Sequence, residues 1–460
     1  MAQDLTKGKP WKVLLAFALP MIVSVSFQQF YSIADSMIAG NFVGKEALAA
    51  VSASFPITMI YLAIGTGSGV GCSVVVSQIF GAGEYKKARS AVLTALISVA
   101  VLAAVVTLAG VFTSELFMRL LKTPADVFAD AALYLDIYVY GIFFLFLYNA
   151  ISAIFQSLGN SRLPLYFLIG SSIFNIGMDL LFVLVFHMGV AGVAWATFLS
   201  QGLAALISGA FLIAELRKIG GKLTLKEVFQ DTPVFNPRLL RRMTIIAIPS
   251  ILQASVVSIG QLFVQSKVNS FGSDVMAGFG GAFKVNLFVI NLFLAVSNAI
   301  GNFTAQNVGA HDLKRIKEGL RWGLIFVYIL AVIAIAVLLG TGKYLMRLFV
   351  DDEPEVIAVG WDFILIVTPF YLVGCLKIGL DGVFKGTGDM ISFTSGTLLD
   401  LVVRVVLSYV LSDLMHSEKG IWWAWPIGWS SACLLTVIWY FWGRWKKTGH
   451  LVPKKELVCG

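Results

Sequence analysis

Charge is what this chain has least of. Of 460 residues, 13% are Asp, Glu, Lys or Arg and 58% are hydrophobic, whereas a soluble domain carries about 25% charged residues. That scarcity excludes a water-solvated globular fold. Cysteine is rare too: Cys72, Cys375 and Cys433 fall inside apolar stretches and Cys459 near the C-terminal end, so no disulfide framework or metal cluster is implied. The four histidines, His187, His311, His416 and His450, fall at the ends of apolar runs or in loops, which argues against an imidazole relay through a membrane centre. No H-E-x-x-H, G-x-S-x-G or G-x-x-x-x-G-K-[ST] motif occurs, so neither the common hydrolytic sites nor an ATP-driven cycle is expected and the chain reads as a non-enzyme. The net charge is +8, but the basic residues are spread over short loops and form no stripe or arm for nucleic acid.

What is present is apolar length. A helix crossing a hydrocarbon core needs about 20 residues, and apolar stretches of that size recur from 13–40 to 420–443. Twelve such spans are expected. They do not alternate as barrel strands do, and lipid leaves no partner for an open backbone, so they are helices. The fold class is an all-α integral membrane protein. The first stretch exceeds a signal-peptide core and lacks an obvious cleavage site, so it is expected to be retained.

The chain also matches itself at an offset of about 229 residues. Phe155–Arg162 (FQSLGNSR) pairs with Phe384–Ile391 (FKGTGDMI), Gly81-Ala82-Gly83 with Gly309-Ala310-His311, and Pro20 with Pro249. Doubling of this kind marks secondary transporters. The expected organisation is a first lobe of six spans in 1–214, a polar linker over 215–242, and a second lobe of six spans in 243–460. Outer stretches 113–128 and 341–355, with Leu116-Phe117-Met118 and Tyr344-Leu345-Met346, read as short amphipathic helices at the interface.

Orientation follows from Lys and Arg, which favour cytoplasmic loops. Lys86, Lys87 and Arg89, then Arg217 to Arg242, then Lys314 to Arg321 fall on one side; the other side has Lys45, Arg119, Lys122, Lys343, Arg347 and Lys419. Both termini are therefore expected in the cytoplasm. Four bases, Lys267, Lys284, Lys377 and Arg404, fall within spans.

Ionisable groups inside spans are costly and mark function by default. The first lobe has acids, Asp35 and Asp179, with Asn175 one turn before Asp179 on the same helix face. The offset turns Asn175 into Arg404, Asp179 into Ser408 and Asp35 into Val264. The acids vanish, and Asp400, one turn before Arg404, is placed to pair with it. Two carboxylates in a low-dielectric cavity could exchange protons near neutral pH; with oxygens from Asn175 and a hydroxyl such as Thr197 they could equally hold Na⁺. The run from Gly65 to Gly71 contains overlapping G-x-x-x-G spacings for close helix packing, with a flexible point as the sharper alternative.

The stretches ALPMIVSVSFQQFYSIADSMIAGNFVG (18–44), SQIFGAGEYKKA (77–88), FQSLGNSRLPLYF (155–167), NIGMDLLFVLVFHMGVAGVAWATFLSQ (175–201) and VFKGTGDM (383–390) together resemble the multidrug and toxic compound extrusion (MATE) family over essentially the whole chain. The resemblance implies two six-helix lobes and antiport of organic, mostly cationic compounds against H⁺ or Na⁺. It implies a coupling-cation site at Asp35, Asn175, Asp179 and Thr197, and helix bending at Pro20. It offers Phe27, Gln28, Tyr31, Met59 and Tyr140 as cleft residues and Lys284 as a basic position alongside Asp400 and Arg404. In the vibrio-type branch acids occupy spans 7 and 10; here span 7 has Gln253 and Gln261, and Asp381 misses the expected spacing, so the chain looks closer to the MepA-like or DinF-like branch. The expected setting is a bacterial inner membrane, with small lipophilic or cationic molecules and lipid as partners, a monomeric state and no cofactor beyond the coupling ion. The alternatives are a lipid-linked oligosaccharide flippase of the same superfamily, a membrane-embedded enzyme and a passive channel.

Overall fold

The structure, a computed structural model, describes residues 4–38, 42, 45–120, 123, 125–221, 224, 227–228, 232–347 and 353–448; the side chains of 33–38, 45–49, 51–52, 120 and 125–126 lie outside the described set. The first half holds α1 (Pro10–Ile38), α2 (Lys45–Gly81), α3 (Tyr85–Leu120), α4 (Ala125–Ser157), α5 (Arg162–Leu180) and α6 (Gly189–Leu216). The second half holds α7 (Pro237–Asn269), α8 (Ser273–Gly309), α9 (Leu313–Arg347), α10 (Pro354–Val367), α11 (Tyr371–Thr387), α12 (Met390–Met415), α13 (Lys419–Trp442) and the short α14 (Arg444–Thr448). The segment α10–α11 is one span interrupted at Thr368–Phe370 by a 3₁₀ turn, where Pro369 has no N–H to continue the ladder.

Among the described residues, 11 spans are long and apolar enough to cross a membrane. The remaining long helix, α12, carries Asp400, Arg404 and Asp413 in its 26 residues. Its first two charges neutralise each other, as shown below. Among the described residues the expected interfacial helices are not separate elements; 121–122, 124 and 348–352 of those stretches lie outside the described set. Residues 113–120 and 341–347 are the last turns of α3 and α9; no Pro interrupts them, α9 runs on through Gly342, and the Thr113 and Thr341 hydroxyls donate to the carbonyls of Ala109 and Val337 one turn back.

The repeat is written into the helix ends. Gly159 and Gly388 adopt φ of 79° and 77°, a left-handed conformation that glycine enters without steric cost. Around them the same bonds recur: Gly159 N–H to Gln156 O and Asn160 N–H to Phe155 O, against Gly388 N–H to Lys385 O and Asp389 N–H to Phe384 O. Asn160 and Asp389 then accept from Leu163 N–H and Ser392 N–H, starting the next helix. His187 and His416 repeat as well, both with positive φ (52° and 47°) where a helix stops.

The chain divides into two compact units, one chiefly Val23–Ile251, the other Leu5–Ile22 with Leu252 onward. Both switch points lie inside helices, α1 and α7, and they are 229 residues apart. Each falls two residues after an internal proline, Pro20 or Pro249, which cannot bond to the carbonyl four residues back and so weakens the ladder there.

Within the first unit, the glycine run of α2 packs on two sides. A side chain at Gly67 or Gly71 would meet Ile251 at 2.6 Å or the Met243 carbonyl at 2.5 Å on α7, and one at Gly65 would meet Phe146 of α4 at 3.0 Å. Close helix approach is what these glycines do. Between α6 and α7 the chain is pinned by Arg89, whose Nη1 donates to Ile219 O at 2.8 Å. Thr224 and Glu227 form a capping box there, and hydrogen bonds from the Thr224 N–H and hydroxyl hold the Glu227 carboxyl below its ordinary pKa.

Candidate functional site

The polar centre of the first unit is built on α5. Asn175 and Asp179, four residues apart, are 1% and 0% exposed, so an amide and a carboxyl enter the interior from one face. Immediately afterwards the helix loosens into a π turn, Leu181–Val185, a distortion found frequently at functional sites. The Tyr31 hydroxyl of α1 donates to Asn175 Oδ1. The other end of that amide, Nδ2, is buried without a protein partner among the described residues. An unmet buried donor costs about 1–3 kcal/mol, which marks a place suited to a polar guest such as water. Asp35 follows Tyr31 by one turn of α1; its side chain lies outside the described residues. Thr197 sits half-buried on α6, which packs against α5.

The remaining first-unit candidates are spread along three helices. Phe27 and Met59 are half-buried on α1 and α2, whereas Gln28 on α1 and Tyr140 on α4 are exposed. Of these five, Tyr31 is the residue tied by a hydrogen bond to the α5 pair.

In the second unit the equivalent positions are equally enclosed but chemically different. Val264, Arg404 and Ser408 are 1%, 8% and 0% exposed. Arg404 pairs with Asp400 at 3.0 Å and lies over the Trp425 ring with its Cζ 4.3 Å from the centroid. Gly428 makes room for this pair, since a side chain there would meet Asp400 Oδ1 at 2.6 Å. Tyr31 has Gly260 as its counterpart, and a side chain at Gly260 would run into Leu401. At this level the first unit bridges its first and fifth spans with a hydrogen bond where the second has apolar contact; further along the same two helices the second unit has the Lys267–Asp413 ion pair at 2.6 Å and a bond from the Tyr409 hydroxyl to Phe263 O at 3.1 Å.

A second buried pair, Lys377 with Asp381 at 2.6 Å on α11, was not foreseen; Lys377 also donates to the Thr397 hydroxyl of α12 at 2.8 Å. Its signal was present in the sequence, because opposite charges four residues apart on a helix meet. Lys284 on α8 is exposed and makes no ion pair among the described residues.

A doubled bundle of membrane-spanning helices, with its buried polar groups gathered at equivalent but unlike places in the two halves, is the architecture of a transporter. The chain belongs to the MatE family, the MATE transporters: residues 20–181 and 249–410 each match the family, at the same 229-residue offset. Among its relatives, the probable multidrug resistance protein YpnP of Bacillus subtilis is 31% identical over 97% of this chain and 98% of its own. The multidrug export protein MepA of Staphylococcus saprophyticus is 20% identical over 90% of each chain. A MOP superfamily transporter of known structure from Pyrococcus furiosus has the same fold, with a TM-score of 0.88 over 97% of this chain and 98% of its own at 22% identity.

Proposed function

We propose that this multidrug efflux transporter exports organic, mostly cationic compounds by antiport, with H⁺ or Na⁺ taken up at Asp35, Asn175, Asp179 and Thr197. The reading is carried by the enclosed α5 pair, Asn175 and Asp179, tied through Tyr31 to the helix that bears Asp35. An ion arriving there changes the charge of a site that the Tyr31 bond links to α1. That helix is shared between the two units and contains Pro20 at its weak point. Cargo and ion then compete through coupled sites, so that each lowers the other's affinity by the same factor. Both termini are cytoplasmic on the Lys and Arg count, in a bacterial inner membrane, and the chain works as a monomer.

The deciding experiment is dye efflux from proteoliposomes with pH and Na⁺ gradients imposed separately. One gradient is expected to drive efflux, and Asp35→Asn to abolish it at equal membrane abundance. Efflux driven by neither gradient, or undiminished in Asp35→Asn, removes the proposal.

A further inference from the structure

The residues leading into α1 are held like a key in a lock. Leu5 is fully buried; its N–H donates to Gln306 Oε1 at 2.9 Å, and its carbonyl accepts from Asn307 Nδ2 at 3.4 Å. The Arg315 guanidinium then gathers three carbonyls: Leu5 (Nε 3.3 Å, Nη2 3.1 Å), Lys7 (Nη2 2.8 Å) and Gly8 (Nη1 2.7 Å). Gln306 and Asn307, both 0% exposed, form the end of α8. Arg315 opens α9, its own N–H held by Asp312 Oδ1 at 2.9 Å and its Cζ 5.4 Å from the Phe303 ring. A segment outside regular structure thus has its backbone groups met by side chains from one turn, the turn that carries Gly309-Ala310-His311. Such a set of bonds is specific, because a planar fork can serve several carbonyls at once where an ammonium serves as a point charge.

The first unit has a counterpart of different make-up. Aligning Gly81-Ala82-Gly83 with Gly309-Ala310-His311 places Gln78 on Gln306 and Lys87 on Arg315. There the segment before α7 is tied by the Ser90 hydroxyl to Pro233 O at 2.7 Å and by Asn236 N–H to Thr94 Oγ1 at 3.0 Å. Gln78 Oε1 accepts from Arg242 at 3.2 Å.

We propose that Gln306, Asn307 and Arg315 are positioning residues for transport, forming a latch that fixes the N-terminal end of α1 to the α8–α9 turn. The half of α1 before Pro20 then travels with the second unit, while the half after Val23, bearing Tyr31 and Asp35, travels with the first. Without the latch, a change at the ion site would swing the loose end of α1 instead of acting on the second unit.

Hydrogen exchange of residues 5–9 in the lipid-reconstituted full chain, read beside ethidium efflux, tests this. The wild-type Leu5 amide is expected to exchange slowly. Arg315→Gln should free residues 5–9, leave exchange in α12 and α13 unchanged, and lower maximal efflux on the order of tenfold with the apparent KM unmoved. Arg315→Lys should recover only part of that loss. Should Arg315→Gln fail to fold, Gln306→Ala removes the Leu5 acceptor alone and is read the same way. Residues 5–9 exchanging freely in the wild type, or a freed segment with full efflux, overturns the latch. The exchange measurement needs no cargo, so a chain that exported no ethidium would count against the export reading while the latch was still judged.

Discussion

Arg404 illustrates how a single buried charge is tolerated. Its guanidinium is neutralised by Asp400 and stacked on Trp425, so removing one partner strands the other in a low-dielectric interior. Arg404→Met is expected to lower unfolding stability by about 3–5 kcal/mol, and the double change Asp400→Leu with Arg404→Met by much less. Thermal unfolding in detergent distinguishes the two. At the α5 site the relevant single atom is the Tyr31 hydroxyl. Tyr31→Phe should leave folding intact but reduce gradient-driven efflux, which proteoliposome assays at equal protein density would check.

Helix ends and helix interruptions carry the next level of control. Gly159 and Gly388 stop α4 and α11 in the same left-handed conformation, which costs an ordinary residue roughly 1–2 kcal/mol. Gly159→Ala and Gly388→Ala should each lose about that much stability, and losses that differ greatly between the two would contradict their structural equivalence. Pro20 acts in the opposite sense. Restoring an N–H at that position lets α1 complete its bond to Ala16, so Pro20→Ala should leave thermal stability unchanged or raised while efflux falls. An unaltered efflux rate would show that the break in α1 has no part in the cycle.

Across the whole molecule, two halves of common plan have taken different interiors. The first encloses Asn175 and Asp179 beside α1, and the second encloses two ion pairs, Asp400–Arg404 and Lys377–Asp381. Ion coupling should therefore survive neutralising both members of the second-half pair. An Asp400→Asn, Arg404→Gln variant is expected to keep the wild-type dependence of efflux on pH and Na⁺ gradients, which side-by-side proteoliposome assays would check. Span number and the repeat offset were legible in the sequence, because the first follows from local hydropathy and the second from motifs that match along the chain. So was the Asp400–Arg404 pair, whose members lie one helical turn apart. The extension of α3 and α9 through the supposed interfacial helices was misread, since amphipathic spacing near a span end looks the same whether or not the helix continues. Three features came only from the tertiary structure: the exchange of unit within α1 and α7, the Tyr31–Asn175 bond, and the capture of Leu5 by Gln306 and Arg315. Each joins residues more than a hundred positions apart or depends on which helices pack together, and a one-dimensional pattern of polarity holds no record of such neighbours.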